Sequence, residues 1–171
     1  MAALFSSSAD VTIRSMPADP DFQLVLVAPE IPPNTGTTAR LCAATGTRLH
    51  LVGPLGFSLE DRYLRRAGLD YWPAVDLERY DDWQGFREKH PSAPLRLFSA
   101  RASRSYTSIE YQRGDFLVFG GETRGLPAEL LREHAGRTYT IPMRTAIVRS
   151  LNLANAAAIV LYEALRQIGR T

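Results

Sequence analysis

The chain has 171 residues, of which 45% are apolar and 22% charged, for a formal net charge of +2. That length suits one domain with a proper core, and the composition excludes wholesale disorder and the collagen-like and coiled-coil classes. A single cysteine, Cys42, rules out an intramolecular disulfide and a cysteine-based metal site, and no apolar run approaches the roughly 20 residues that a membrane span needs.

Residues Met1–Asp21, with Ser6–Ser8, Pro17, Pro20 and little apolar periodicity, read as a disordered or loosely docked tail. The apolar piece Ala2–Phe5 is too short for a signal peptide and follows no basic region, so a cytoplasmic protein is expected. Residues 22–171 read as one domain. Phe22–Ala28 is a continuous apolar run of strand length. A helix is predicted over 34–45, with Asn34 or Thr35 near its N-cap and Gly46 just past its end. Arg48–Val52 is the next strand, and Ser58 with Asp61 makes a capping-box-like start for a helix to Gly68. Then come a short strand at Trp72–Val75, a helix from Asp81 to His90, and strands at Leu95–Ala100 and Asp115–Gly120. Pro127 opens a short helix to about Ala135. Thr138–Ile141 is a last strand, and Ser150 caps a long helix ending at Gly169. Alternating strands and helices predict an α/β fold, a six-stranded parallel sheet with helices on both faces. Runs such as Leu24–Ala28 and Phe116–Gly120 agree, because strands buried on both faces lose their alternation. Thirteen of the eighteen residues from Leu151 to Ile168 are apolar and surround the helix, which predicts burial on more than one side, the second side against another subunit.

Nineteen of the twenty basic residues are arginines, Lys89 being the exception. Base composition explains such a bias, and so does phosphate recognition by guanidinium forks. Arg96, Arg101, Arg104 and Arg113 face one acid, Glu110, in that stretch, and Arg137, Arg144 and Arg149 face none. A localised polyanion site follows from the second reading. No G-x-G-x-x-G follows the first strand. Gly120 and Gly125 have phosphate-loop spacing, but Leu126 and Pro127 replace the Lys-Ser/Thr that triphosphate binding requires. There is no G-x-S-x-G elbow. His50, His90 and His134 are scattered without metal-ligand spacing. They read as surface or boundary residues, and no metal is expected.

Three segments after predicted strands remain, where open parallel sheets hold ligands. Pro29–Gly36, leading to Arg40, is a proline-stiffened loop, either a plain strand-to-helix turn or a site. Phe119–Pro127 is glycine-rich, which allows close backbone approach. Ile141–Met143 and Arg149–Asn155 form the third. Asn152 and Asn155 sit three apart in an apolar helix that asparagine does not favour, which capping or a neighbouring loop would explain.

Phe119-Gly-Gly-Glu-Thr-Arg-Gly-Leu-Pro127, Ile141-Pro-Met143 and Ser150-Leu-Asn-Leu-Ala-Asn155 resemble the signature of the SPOUT RNA methyltransferases. Glu30-Ile-Pro-Pro-Asn-Thr-Gly36 with Arg40-Leu-Cys-Ala43, and Leu64-Arg-Arg-Ala-Gly-Leu-Asp-Tyr71, narrow the resemblance to the small single-domain branch that methylates the 2′-hydroxyl of the tRNA wobble nucleotide, cytidine or modified uridine 34. It spans about Phe22 to Gly169. It implies a C-terminal trefoil knot, a homodimer and S-adenosylmethionine as cofactor without a metal. Carried over by position, Ala100, Gly120, Ile141 and Ser150, with Gly125 and Leu151, would line the cofactor pocket. Arg40 would orient the ribose hydroxyl or its phosphate and stabilise oxyanion character, since arginine stays protonated. Asn34, Glu122, Asn152 and Asn155 would shape the site, and Arg149 would meet the RNA phosphate beside the reacting ribose. Tyr162 is a further candidate. With no added RNA-binding module, Arg101, Arg104 and Arg144 become candidates for tRNA phosphate contacts. Gly121 stands where relatives carry proline, and the loop from Met143 to Ser150 is one residue longer. Another tRNA position, ribosomal RNA, or a non-catalytic RNA-binding role are the alternatives.

Overall fold

The apolar runs of strand length form the middle of the molecule. In the computed structural model, which describes residues 19–58 and 72–171, β1 (Gln23–Val27), β2 (Arg48–Val52), β3 (Leu77–Tyr80), β4 (Leu95–Phe98), β5 (Phe116–Gly120) and β6 (Thr138–Tyr139) make one sheet. Its order is β3-β2-β1-β5-β4-β6, and every pairing is parallel. The two central strands run in register from Gln23 opposite Phe116 to Val27 opposite Gly120. The helices are α1 (Pro32–Thr45), α2 (Trp83–Lys89), α3 (Ala128–Glu133) and α4 (Leu153–Gln167). Strand alternation divides the core in two. Leu24, Leu26, Leu49, Leu51 and Phe119 pack with Ala39 and Cys42 of α1 and Ala157, Leu161 and Ala164 of α4. Val25, Val27, Val52 and Val118 pack with Phe86 of α2 and Leu130 of α3. Both faces of the sheet are therefore covered, as the unbroken apolar runs require.

The helix beginning expected at Ser58 lies outside the described residues after that first position, as do Leu64–Tyr71 and residues 1–18 of the expected tail. Elsewhere the structure moves several boundaries. Helix α1 starts at Pro32 with Ile31 as N-cap, not at Asn34 or Thr35. Pro32 and Pro33 occupy its first turn, where the missing N–H groups have no intrahelical acceptor to lose. Gly46 ends it in the left-handed conformation at φ 66°, and its N–H donates to the Cys42 carbonyl. Trp72–Ala74 is a 3-10 turn rather than a strand, because Pro73 fixes φ and carries no donor; the edge strand comes later, at Leu77–Tyr80. Asp82 caps α2, its side chain accepting from the Gly85 N–H. Pro127 is the N-cap of α3, and the long last helix is capped by Asn152 rather than Ser150.

Within the chain α4 is buried on one side rather than all round. Leu153, Ala154, Ala157, Val160, Leu161, Ala164 and Leu165 face inward, while Ile159 and Tyr162 are 38% and 51% exposed. Its small inward residues meet α1, whose own buried positions are Thr35, Gly36, Thr38, Ala39 and Cys42. Strand β6 lies at the sheet's edge, yet α4 packs on α1 and β5 at its centre, so residues 140–152 carry the chain back across the fold.

Candidate active site

All strands are parallel, so their carboxyl ends share one edge, and the segments after β1, β4, β5 and β6 emerge there together. A chain of hydrogen bonds joins them. Glu122, just after β5, reaches the start of α1: its Oε2 accepts the Glu30 N–H at 2.7 Å, and its Oε1 accepts the Ile31 N–H at 3.2 Å and the Asn34 Nδ2 at 2.9 Å. The Asn34 Oδ1 in turn accepts Nδ2 of Asn152 at 2.9 Å. The Asn152 Oδ1 caps α4 by accepting the Ala154 and Asn155 N–H groups at 2.9 and 3.3 Å. Three of the predicted site residues are thus one connected unit. Two members of the unit also serve helix starts, which otherwise leave backbone donors without partners: Glu122 takes the N–H of the α1 N-cap, and Asn152 takes two N–H groups of α4. Glu122 places a carboxylate at the N-terminus of α1, where the helix dipole favours negative charge. Arg40 stands on the exposed side of the same helix, two turns further on.

A second carboxylate runs the opposite way. Glu30, just after β1, accepts the Thr123 hydroxyl at 2.6 Å and the Thr123 N–H at 3.3 Å. Neither Glu30 nor Thr123 was expected to hold the site. The available signal was a carboxylate two residues ahead of a pair of helix-opening prolines, with a hydroxyl inside a glycine loop elsewhere in the chain.

The glycine loop closes on itself through the Gly125 N–H and the Gly121 carbonyl, 2.9 Å apart. At Gly120 a Cβ would lie 2.5 Å from the Gly125 carbonyl oxygen and closer still to the Gly125 carbonyl carbon and the Leu126 nitrogen. Glycine is needed there for backbone packing rather than for φ. Gly125 has φ 69° and open space around an added Cβ. Ala100 is exposed two residues past β4, and Ile141 is half-buried two residues past β6. Ser150 and Leu151 are exposed just before α4. The stacked rings of Phe98 and Phe119, 4.8 Å between centroids, end the two strands that carry Ala100 and Gly120. Small residues, open backbone and adjacent strand ends fit a nucleoside-like cofactor held mainly by main-chain groups.

Of the arginines expected to meet RNA, Arg101, Arg144 and Arg149 are exposed. Arg104 is engaged within the protein: its Nη1 donates to the Gly136 carbonyl at 2.6 Å and its guanidinium lies 4.9 Å from the Tyr139 ring centroid. Tyr162 faces solvent on α4. Asn155 is exposed one helical step from Asn152.

Two of the histidines depart from the reading of scattered surface or boundary residues, while His134 is half-buried as a boundary residue. His50 is fully buried and gathers with His90 and Glu78, donor atoms within 4.8 Å of one another, a spacing that could hold a metal ion. The Tyr80 hydroxyl stands among them. It donates to Glu78 in a very short bond and lies 3.2 and 2.9 Å from the His50 Nδ1 and His90 Nε2. The His50 Nε2 is 2.7 Å from the Gln23 Oε1, and Lys89 donates to Glu78 at 2.8 Å. Burial lowers the His50 pKa to about 3, against the attraction of Glu78, and lowers that of His90. Burial alone would raise the Glu78 carboxyl, but hydrogen bonds from Lys89 and Tyr80 outweigh it and bring it to about 2. The cluster lies within the sheet on the α2 side, not at the carboxyl edge. Four sequence segments build it, so no local motif announces it.

Fold and site together define an α/β protein in which the carboxyl edge of a parallel sheet brings a glycine loop beside two cross-linked helix starts. Residues 21–162 match the SpoU rRNA Methylase family, and the chain belongs to that family. The tRNA (cytidine(34)-2'-O)-methyltransferase of Burkholderia ambifaria is 48% identical over 151 residues, 86% of this chain and 96% of that protein. A solved structure described as giving insight into 2-OH methylation of C/U34 on tRNA superposes with a TM-score of 0.82 at 49% identity, covering 86% of this chain and 95% of the other. An S-adenosylmethionine-bound rRNA methyltransferase of Sinorhizobium meliloti superposes at 0.77 and 29% identity, covering 89% of this chain and 58% of that one.

Proposed function

We propose that this chain methylates the ribose 2′-hydroxyl of the tRNA wobble nucleotide, position 34, using S-adenosylmethionine. The observation that carries the reading is the joint one at the carboxyl edge. The polar unit Glu122–Asn34–Asn152 and the nearby Arg40 are intact in a chain that matches a tRNA (cytidine(34)-2'-O)-methyltransferase over nearly its whole length.

S-adenosylmethionine supplies an activated methyl group. The protein's part is positioning and electrostatics, because a ribose hydroxyl is a weak acid and a poor nucleophile. Ala100, Gly120, Gly125, Ile141, Ser150 and Leu151 hold the cofactor, largely through backbone. Glu122, Asn34 and Asn152 fix α1 and α4 against the glycine loop, so Arg40 keeps a set distance from the cofactor. Arg40 orients the hydroxyl or its phosphate and stabilises oxyanion character while the hydroxyl proton passes to solvent water. Arg149 meets the adjacent phosphate, with Arg101 and Arg144 further along the RNA; Arg104 joins them only if it leaves Tyr139. The protein works in the cytoplasm as a homodimer, for which the exposed Ile159 and Tyr162 of α4 and Ile31 before α1 form the apolar contact. The C-terminal return from β6 to α4 is the passage a trefoil knot uses.

The test is methyl transfer from labelled S-adenosylmethionine to tRNA from a strain lacking the matching activity, with the modified nucleoside mapped. Label at the 2′-oxygen of nucleotide 34 is expected. No label in tRNA, with label entering ribosomal RNA supplied as acceptor in a parallel reaction, replaces the tRNA reading with the substrate named in the family's description. Arg40→Lys retaining the full single-turnover rate would remove the role given to Arg40.

A further inference from the structure

We propose that Glu30 and Thr123 are a positioning pair that holds the glycine loop 121–125 in its cofactor-receiving shape; the inference rests on the cofactor assignment above and adds two residues to it. Among the described residues, the backbone hydrogen bond that closes the loop on its own strand end is Gly125–Gly121. Glycine at both ends leaves it unusually many conformations in the absence of an outside partner. Glu122 finds such partners for the loop's first half in Ile31 and Asn34, and Glu30 is the partner of its middle, taking both the hydroxyl and the N–H of the loop's central residue. A charged acceptor makes these stronger than neutral hydrogen bonds.

Glu30 is itself held. Its N–H donates to the Glu122 Oε2, so the two carboxylates cross, each securing the other's segment across more than ninety residues of sequence. Glycines make room for it. A Cβ at Gly56 would lie 2.8 Å from the Glu30 Cα, and one at Gly121 would lie 3.1 Å from the Glu30 Oε1. The Gly56 N–H donates to the Pro29 carbonyl at 3.0 Å, fixing the backbone just before Glu30. Glu122 ties α1 to the loop's first half, and Glu30 ties β1 to its middle. Losing the second tie frees the loop around Gly125 while leaving α1, and Arg40 on it, in place. The pair therefore acts on cofactor binding more than on RNA binding.

Thr123→Val, Thr123→Ser and Glu30→Gln test the assignment. S-adenosylmethionine affinity is measured by calorimetry without RNA, the two KM values by steady-state methylation, and loop order by hydrogen exchange of amides 121–125. Thr123→Val and Glu30→Gln should each weaken cofactor binding about tenfold, the scale of one charge-assisted hydrogen bond. KM for the cofactor should rise in step, KM for tRNA should stay within twofold, loop exchange should quicken, and Thr123→Ser should restore both. Cofactor affinity unchanged in Thr123→Val, or no restoration by serine, overturns the pair. If Thr123→Val fails to fold, Glu30→Gln alone carries the comparison. If the wild type binds no S-adenosylmethionine, the cofactor assignment has failed, and loop exchange then judges the pair by itself: faster in Thr123→Val supports it, unchanged overturns it.

Discussion

Three glycines in the C-terminal half make a graded test of how the site is packed. At Gly120 an alanine Cβ meets backbone on the far side of the glycine loop, 2.5 Å from the Gly125 carbonyl oxygen where ordinary contact begins at 3.4 Å. The Gly125–Leu126 backbone must therefore retreat by at least about 0.9 Å, with no flexible side-chain end to absorb the overlap. Overpacking of this kind costs roughly 1–3 kcal/mol or more, which for a domain this size lowers Tm by about 2–4 °C per kcal/mol. A displacement near 1 Å in a loop that positions a reacting group also costs on the order of a hundredfold in rate. Gly125→Ala tests strain alone: the space is open but φ is 69°, so roughly 1–2 kcal/mol is lost. Gly136→Ala, with open space and no left-handed backbone, should be neutral or stabilising by up to about 1 kcal/mol. Thermal unfolding, cofactor calorimetry and single-turnover methylation on all three variants give the order. Gly120→Ala should lose both stability and cofactor affinity. A Gly120→Ala protein within 1 °C of wild type and binding cofactor equally well, or a Gly136→Ala protein as damaged as it, would refute the packing argument.

The buried histidine sets an acid limit on stability. His50 titrates near 3 in the folded protein and near 6.5 unfolded, so between these values the unfolded chain binds more protons and stability falls as pH falls. From pH 7 to pH 5 the loss is about 2 kcal/mol from His50. His90 adds to it with the same sign, and Glu78 extends it below pH 4.5. Urea unfolding at the two pH values measures the slope, and His50→Gln should flatten it; an equal slope in that variant would assign the acid sensitivity elsewhere. Binding of tRNA should weaken steeply with salt through counterion release, and Arg149→Ala or Arg144→Ala should each reduce the log–log slope by about one. Filter binding across 50–200 mM salt reads this, and a flat response would discard the proposed phosphate path.

Elements with a purely local cause were legible in the sequence. The central strands announced themselves as unbroken apolar runs because both faces of β1 and β5 are covered. Gly46 stopped α1 because a left-handed residue is needed there whatever surrounds it. Boundaries that depend on distant partners were not legible. Ile31 serves as N-cap without a capping side chain because Glu122, from a different loop, accepts its N–H. Ser150 looked like the cap of the last helix by residue type. Asn152 takes the role because its amide is also held by Asn34, 118 residues earlier. Trp72–Val75 has strand-like composition, but Pro73 turns it. The motifs did place Glu122, Asn34 and Asn152 near one another, and the geometry supplies the reason they come as a set. The histidine cluster had no such trace, since β2 supplies His50, β3 Glu78 and Tyr80, the C-cap of α2 His90, and β1 Gln23.

The polar unit also explains why a site can be precise when nearly all of it stands on loops. A helix start has backbone donors to satisfy. In α1 two are removed by Pro32 and Pro33, the Asn34 N–H donates to the Ile31 carbonyl, and Glu122 takes the Ile31 N–H. In α4 Asn152 takes two. Because Glu122 and Asn152 both bond Asn34, satisfying one helix start fixes the position of the other relative to the glycine loop. Folding and placement are then the same event: the groups that would be orphaned in a misplaced loop are those that define where the loop belongs. An alternative loop position would lose several hydrogen bonds together rather than one. The exposed rim can in consequence carry its arginines while the spacing between the Arg40 helix and the glycine loop stays set.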